Sequence, residues 1–371
     1  MEDKVNVGFL WLETPGYLLN CLGNLTKKVE KVVLLYTNGK LPADIIDFYS
    51  NLVKERKLIL IDATEMSAKE VHASLKINEV SAIVVCGWHH RKWMRVSQRY
   101  SGVKILTFDN QWNGNVRQLL GMFYGKLVLS RKFDGAFVPG CRSKIFAEKM
   151  GFLNSRVLEG LYVGNDSLFS PDYAGIKSDF LFSGRLVSDK NIRSLLDGYN
   201  EYREKVNEPW NLKIAGQGPL DTILTEYEGV RYLGQLSQSE LSLEMKKSRF
   251  LVLPSLKERW GVVIQESVLS GTPVICSAYC GSADYFVRDN KSGFIINSVD
   301  STSISDCLIN AHHQTTLEYK EMCDISIQLA KQFTPETWTK SLLELIKMNL
   351  TKKVVSGFKQ ANKPFNKMFL T

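Results

Sequence analysis

The chain has 371 residues, more than one ordinary core accommodates, so its length argues for two domains. Its 44% hydrophobic and 23% charged residues exclude a disordered or fibrous chain. The net charge of +8 is unevenly spread: residues 1–163 hold 23 Lys+Arg against 15 Asp+Glu, residues 164–351 hold 19 against 24, and residues 352–371 hold five lysines and no acid.

The first half alternates short β-branched runs with mixed stretches: VNVGFLWL (5–12), KVVLLYT (31–37), KLILIDA (57–63), SAIVVCGW (81–88), VKILTFD (103–109) and GAFVP (135–139). Continuous apolar runs of this length read as strands buried on both faces of a parallel sheet, and the 12–20 residues between them suit crossover helices. Residues 161–178, rich in Gly, Asp, Ser and Pro, read as a linker. The pattern then repeats in DFLFSGR (179–185), NLKIAG (211–216), VRYLG (230–234), SRFLVLPS (248–255), TPVICS (272–277) and SGFIINS (292–298). Beyond about residue 335, Trp338, Leu342, Leu345 and Ile346 fall at helical spacing. The expected fold is α/β: two Rossmann-like, doubly wound parallel-sheet domains facing across a cleft, over 1–163 and 164–340. The helix and tail 341–371 are expected to return to the first domain.

Ligands in such sheets sit beyond the carboxyl ends of the strands, so the residues just after each strand carry the functional argument. Gly184-Arg185 ends the first strand of the second half, with Lys190 before a predicted helix; two cations there suit a diphosphate. Taken alone, such a pair is more often two solvated charges. Gly216-Gln217-Gly218-Pro219 follows the second strand, where glycines permit close approach of a ligand or simply a tight turn. The fourth strand runs into Pro254-Ser255-Leu256-Lys257-Glu258-Arg259-Trp260-Gly261, then an apolar helical pattern containing Glu266. Gly261 opens that helix and frees N–H groups for a phosphate. Glu258 at the loop is placed to accept from sugar hydroxyls, and Glu266, two turns on, from a ribose diol.

The string PSxxExxGxxxxEsxxxGtPV after a strand resembles the signature of glycosyltransferase family 4, retaining enzymes of the GT-B fold. Arg185 and Lys190 match that family's diphosphate-binding pair, Gly216 and Gly218 its glycine turn, and Glu258 and Glu266 its two glutamates. With Trp260 and Gly261, these form the donor-binding set that the resemblance implies, with Glu258 beside the reacting sugar. Cys280-Gly281-Ser282-Ala283-Asp284 is similar to a later loop of the family, and GNDSLFSP to its linker. Two departures stand out: Arg259 where a small residue is commoner, and Asp284 where a glutamate is usual. The first half matches only in outline. Gly16, in Thr14-Pro15-Gly16-Tyr17, is the candidate for the family's first glycine turn, and Asp109 or His89 for its first-domain catalytic position.

The implied activity is transfer of a hexose-type sugar from a UDP- or GDP-linked donor to a glycan or lipid-linked acceptor, in bacterial surface polysaccharide biosynthesis. No Asp-x-Asp occurs, so no cofactor and no metal are expected; Arg185, Lys190 and helix N–H groups would stabilise the leaving diphosphate. A nicotinamide oxidoreductase would need GxGxxG after its first strand, which is absent. A nucleic-acid-binding protein would explain the basic first half and leave the acidic second half unexplained. A non-catalytic nucleotide-sugar or glycan-binding relative remains the alternative. The opening residues carry no secretory signal pattern, no run reaches the ~18–20 apolar residues of a membrane span, and the seven cysteines follow no CxxC spacing, so a cytoplasmic location is expected. Arg91, Arg95 and Arg99 repeat every four residues beside Trp93. With the lysine-rich tail they suggest a peripheral site for an anionic membrane on its inner face, against the plainer reading of a solvated helix face.

Overall fold

A computed structural model describes residues 5–37, 50–171 and 178–361, with side chains of the last helix described to residue 353. Among the described residues, thirteen strands form two sheets, all parallel. The first holds β1 (Asn6–Leu10), β2 (Lys31–Tyr36), β3 (Leu58–Asp62), β4 (Ala82–Cys86), β5 (Val103–Thr107), β6 (Gly135–Val138) and β7 (Val157–Glu159), in the order β3-β2-β1-β4-β5-β6-β7. The second holds β8 (Phe180–Ser183), β9 (Leu212–Ala215), β10 (Val230–Gly234), β11 (Phe250–Leu253), β12 (Val274–Ser277) and β13 (Gly293–Ile296), in the order β10-β9-β8-β11-β12-β13. Each order reverses direction once, between β1 and β4 and between β8 and β11. Such a switch point splays the following loops apart and leaves a crevice at the carboxyl edge.

The twofold period of a strand explains why the runs are apolar throughout. In β2, Val32, Leu34 and Tyr36 join a cluster on one face of the first sheet, while Val33 and Leu35 join the cluster on the other. The first face is covered by the Gly16–Leu25 helix and by the C-terminal helix Pro335–Ala361, whose Trp338, Leu342, Leu345 and Ile346 are buried against β1 and β6. Proline at the first position of that helix costs no hydrogen bond, and Thr337 N donates to Thr334 Oγ1 just ahead of it. The Trp338 indole N–H donates to Leu161 O at 3.0 Å, and Lys353 Nζ lies 2.9 Å from Asp134 Oδ2. The chain therefore crosses between domains twice, near residues 164–171 and again near residue 333.

Every strand run read from the sequence is a strand, and β7 is an addition. The arginine reading needs correction. Arg91, Arg95 and Arg99 are exposed on the helix Arg91–Arg99, but Trp93 is buried in the core. Two residues advance a helix by about 200°, so a residue at 93 faces away from one at 91. Of the lysine-rich tail, only Lys352 and Lys353 have described side chains; the rest lies outside the described residues.

Candidate active site

At the carboxyl edge of the second sheet the loops after β8 and β9 are laced together through backbone. Gly184 N donates to Ala215 O at 3.0 Å and Leu186 N to Gln217 O at 2.9 Å. Gly216 has φ +137° and Gly218 φ +158°, and a Cβ at either would stand 1.9 Å from Gly184 O or 2.4 Å from Leu186 O. The glycines are thus required by the contact between loops. This contact turns Arg185 outward, where it is exposed. Lys190 ends a short turn, Ser188–Lys190, and its ammonium is ion-paired with the Glu258 carboxylate.

The segment after β11 is held from both sides. Leu256 N donates to Asp189 O at 2.9 Å, and Gly281 N to Glu258 O at 3.1 Å. Gly261, at φ +89°, then turns the chain into the helix Val262–Leu269, whose start has no side-chain cap. Its first N–H groups are left for a ligand, at the end where the helix dipole favours an anion. Trp260 is buried among Tyr285, Phe286 and Phe333, and its indole nitrogen has no partner among the described residues. Glu266 lies one turn behind Val262 and is 6% exposed. Gly164, in the linker, packs against it, since a Cβ there would come 3.5 Å from Glu266 Cγ. Burial pushes the Glu266 carboxyl up to about 7, because low-polarity surroundings disfavour its charge.

Two cavities open onto these residues. One, of about 430 Å³, is lined by Asp109 and Tyr162 with Arg185, Lys190, Glu258, Trp260 and Gly261. The second, of about 640 Å³, is lined by His89, Asn110, Gln111 and Arg117 on one side and Leu256, Tyr279 and again Glu258 on the other. Lys257, Glu258 and Arg259 line both. Across the domains, Arg259 Nη1 stands 2.9 Å from Asp109 Oδ1, and Gln111 Nε2 donates to Arg259 O at 2.5 Å.

The structure therefore brings Arg185, Lys190, Glu258, Trp260, Gly261 and Asp109 to one cavity and His89 to the adjoining one. Gly216 and Gly218 support that cavity without lining it. Glu266 is set back from it. Gly16 faces the second domain, a Cβ there lying 2.4 Å from Gln238 Oε1. Asp284, which stands where a glutamate is usual, lines neither cavity. Its carboxylate is held by Arg142, with Nε 2.7 Å from Oδ2 and Nη2 2.6 Å from Oδ1, so the position binds the domains to each other. Tyr162 and Gln111 were not singled out from the sequence. Tyr162 follows β7, a strand of three residues that leaves no readable period, and Gln111 resembles any polar loop residue until Arg259 is placed opposite it.

Two facing, doubly wound parallel sheets with the cavity at their carboxyl edges define the GT-B class. A solved glycosyltransferase from Rickettsia africae superposes with a TM-score of 0.74 at 12% identity, covering 94% of this chain and 99% of that one. The Anabaena protein HepE, solved in complex with UDP and glucose, superposes at 0.72 with 14% identity, covering 93% and 100%. At these identities the likeness is one of fold. Residues 172–333 match the family model for Glycosyl transferases group 1. Among curated relatives, the phosphatidyl-myo-inositol mannosyltransferase of Mycobacterium leprae is 29% identical over 160 residues, 40% of this chain and 41% of that protein. The O-antigen chain mannosyltransferase B of Escherichia coli is 29% identical over 180 residues, 45% of each. These matches span less than half the length of the curated relatives.

Proposed function

We propose that this chain is a retaining glycosyltransferase that moves a hexose from a UDP- or GDP-linked donor to a glycan or lipid-linked acceptor in surface polysaccharide biosynthesis. The observation that carries the reading is the convergence of Arg185, Lys190, Glu258 and the uncapped start of the Val262–Leu269 helix on one cavity. Two cations and a helix N-terminus stabilise a departing diphosphate, and they act most strongly where charge develops in the transition state. Glu258 orients the transferred sugar, and the donor's entry releases Lys190 from that carboxylate toward the phosphates. The acceptor occupies the adjoining cavity beside His89 and Gln111, so the two substrates meet over Glu258 and Arg259. Positioning and leaving-group stabilisation supply the rate, without a divalent metal. The likeness to a phosphatidyl-myo-inositol mannosyltransferase and an O-antigen chain mannosyltransferase, and the UDP and glucose bound to HepE, support this assignment.

A second reading is a non-catalytic binder of the same ligands. It is favoured by the engagement of Asp109 with Arg259, which leaves the first domain's carboxylate at the cavity already paired. Thermal shift against UDP, GDP and their sugars, with Arg185→Ala and Lys190→Ala alongside, tests both readings. A rise of several degrees with one nucleotide, lost in both variants, is expected; no rise with any nucleotide would remove the donor site. Product formation that persists in excess EDTA would then establish a metal-independent transferase, and binding without turnover would establish the binder.

A further inference from the structure

The helix Val116–Tyr124 and the wider turn that extends it, Gly125–Leu129, have no place in the chemistry above beyond the edge they give the acceptor cavity. No residue of Val116–Tyr124 is buried. Val116 is 74% exposed, Leu120 67%, Phe123 57% and Leu127 62%. Their spacing of four, three and four residues places them on one face of the helix. Gly125 allows the turn to lie against Met150, where a Cβ would come within 2.4 Å of its side chain, so this end of the helix is fixed to the domain. Four large apolar side chains in one exposed row are more than scattered surface hydrophobics.

Charge identifies what covers them. Residues 110–133 hold Arg117, Lys126, Arg131 and Lys132, all exposed, and no Asp or Glu. A second copy docked on this face would set these like charges against each other. An anionic lipid surface offers both an apolar layer for the row and headgroups for the cations. Arg117, Gln118 and Gly121 of the same helix line the larger cavity, so a surface under the row lies next to the place assigned to the acceptor. No helix among the described residues is long and apolar enough to cross a membrane. We infer that Val116, Leu120, Phe123 and Leu127 form a monotopic docking face that seats the first domain on an anionic bilayer. The face, and not the arginine stripe on Arg91–Arg99, is the principal anchor.

The test is co-sedimentation of the full chain at low salt with phosphatidylcholine vesicles, with and without phosphatidylglycerol. The chain is expected to bind only the anionic vesicles. Leu120→Ser with Phe123→Ser should lower binding about tenfold or more. Lys126→Glu should weaken it less and flatten its salt dependence. Replacing Arg91, Arg95 and Arg99 together by serine should leave most of it. Equal melting temperatures would show that the exposed positions do not alter folding, and an unchanged UDP thermal shift in the double variant separates this inference from the donor reading. Three results would overturn it: no binding to anionic vesicles, undiminished binding by the double variant, or a dimer that the double variant dissolves.

Discussion

Glu266 and Glu258 are both carboxylates of one segment, yet their surroundings differ. Glu258 is compensated by Lys190, whereas Glu266 is buried with no hydrogen-bond partner for its carboxylate among the described residues and holds its proton up to about 7. A carboxyl whose folded pKa exceeds its unfolded value of 4.5 lets the folded state bind the extra proton. Its cost is therefore absent at pH 4, grows as pH rises from about 4.5 to about 7, and is constant above that, at about 3 kcal/mol. Glu266→Gln is expected to raise the melting temperature at pH 8 and to change it little at pH 4.5; denaturation at both values checks this. If a ribose diol donates to this carboxylate, nucleotide binding at pH 6.5 releases a proton that the variant does not release. Calorimetry in two buffers of different ionisation enthalpy reads that proton, and its absence would take the ribose contact away from Glu266. The meeting of Arg185, Lys190 and Glu258 follows from their places just after β8 and β11, which lie side by side in the sheet. The set-back position of Glu266 is not legible in the sequence, since helical spacing gives the turn and says nothing of depth.

At the level of the elements, the loops after β8 and β9 depend on two positions without side chains. Gly216→Ala would place a methyl group against Gly184 O in a backbone conformation that alanine rarely adopts. A loss of about 3 kcal/mol is expected, with nucleotide binding lost alongside, as read by urea denaturation and thermal shift. The strands were legible because a parallel strand buried on both faces is apolar at every position, and β1, β2 and β8 are buried along most of their length. β7 escaped for lack of length. The fourfold spacing of Arg91, Arg95 and Arg99 gives their common exposed face, but nearness in sequence does not bring Trp93 onto it, since two residues turn a helix by about 200°. The docking face at Val116–Leu127 has the same pattern as a core helix; periodicity gives the apolar side, and only the structure shows it exposed among the described residues.

Across the whole molecule, polar links join the domains at several points, that of Gln111 to Arg259 O among them. Arg142 clasps Asp284 and also donates to Ala278 O at 2.9 Å, Asp109 meets Arg259, and Cys141 N donates to the Tyr285 hydroxyl at 2.6 Å. Each is partly exposed, so each contributes on the order of 0.2–1 kcal/mol after solvent screening. Links of that size hold an arrangement without freezing it, as a cleft that admits and releases substrates needs. Arg142→Ala is expected to widen the average separation, seen as a larger radius of gyration in X-ray scattering, while the melting temperature changes little. The two crossings restrict that opening to rotation about a line through both. The Gly, Asp, Ser and Pro content of residues 161–178 is a local sign of a linker. Arg142–Asp284 has no such sign, because contacts between distant segments leave no local pattern.

The long C-terminal helix belongs to the core of the first domain, with Trp338 stacked on Phe9 at 6.0 Å. Trp338→Ala should cost about 3–5 kcal/mol and be felt in the first domain, which amide exchange in β1 would report. During synthesis this arrangement reverses the usual order of events. The strands of the first sheet leave the ribosome early but lack the helix that covers one face. At about 5–20 residues per second, roughly 10–35 s pass while residues 164–334 are made. The second domain has all its own strands before then and is able to close first. The domain translated first is completed last, and for that interval its uncovered sheet is the part of the chain most in need of a chaperone.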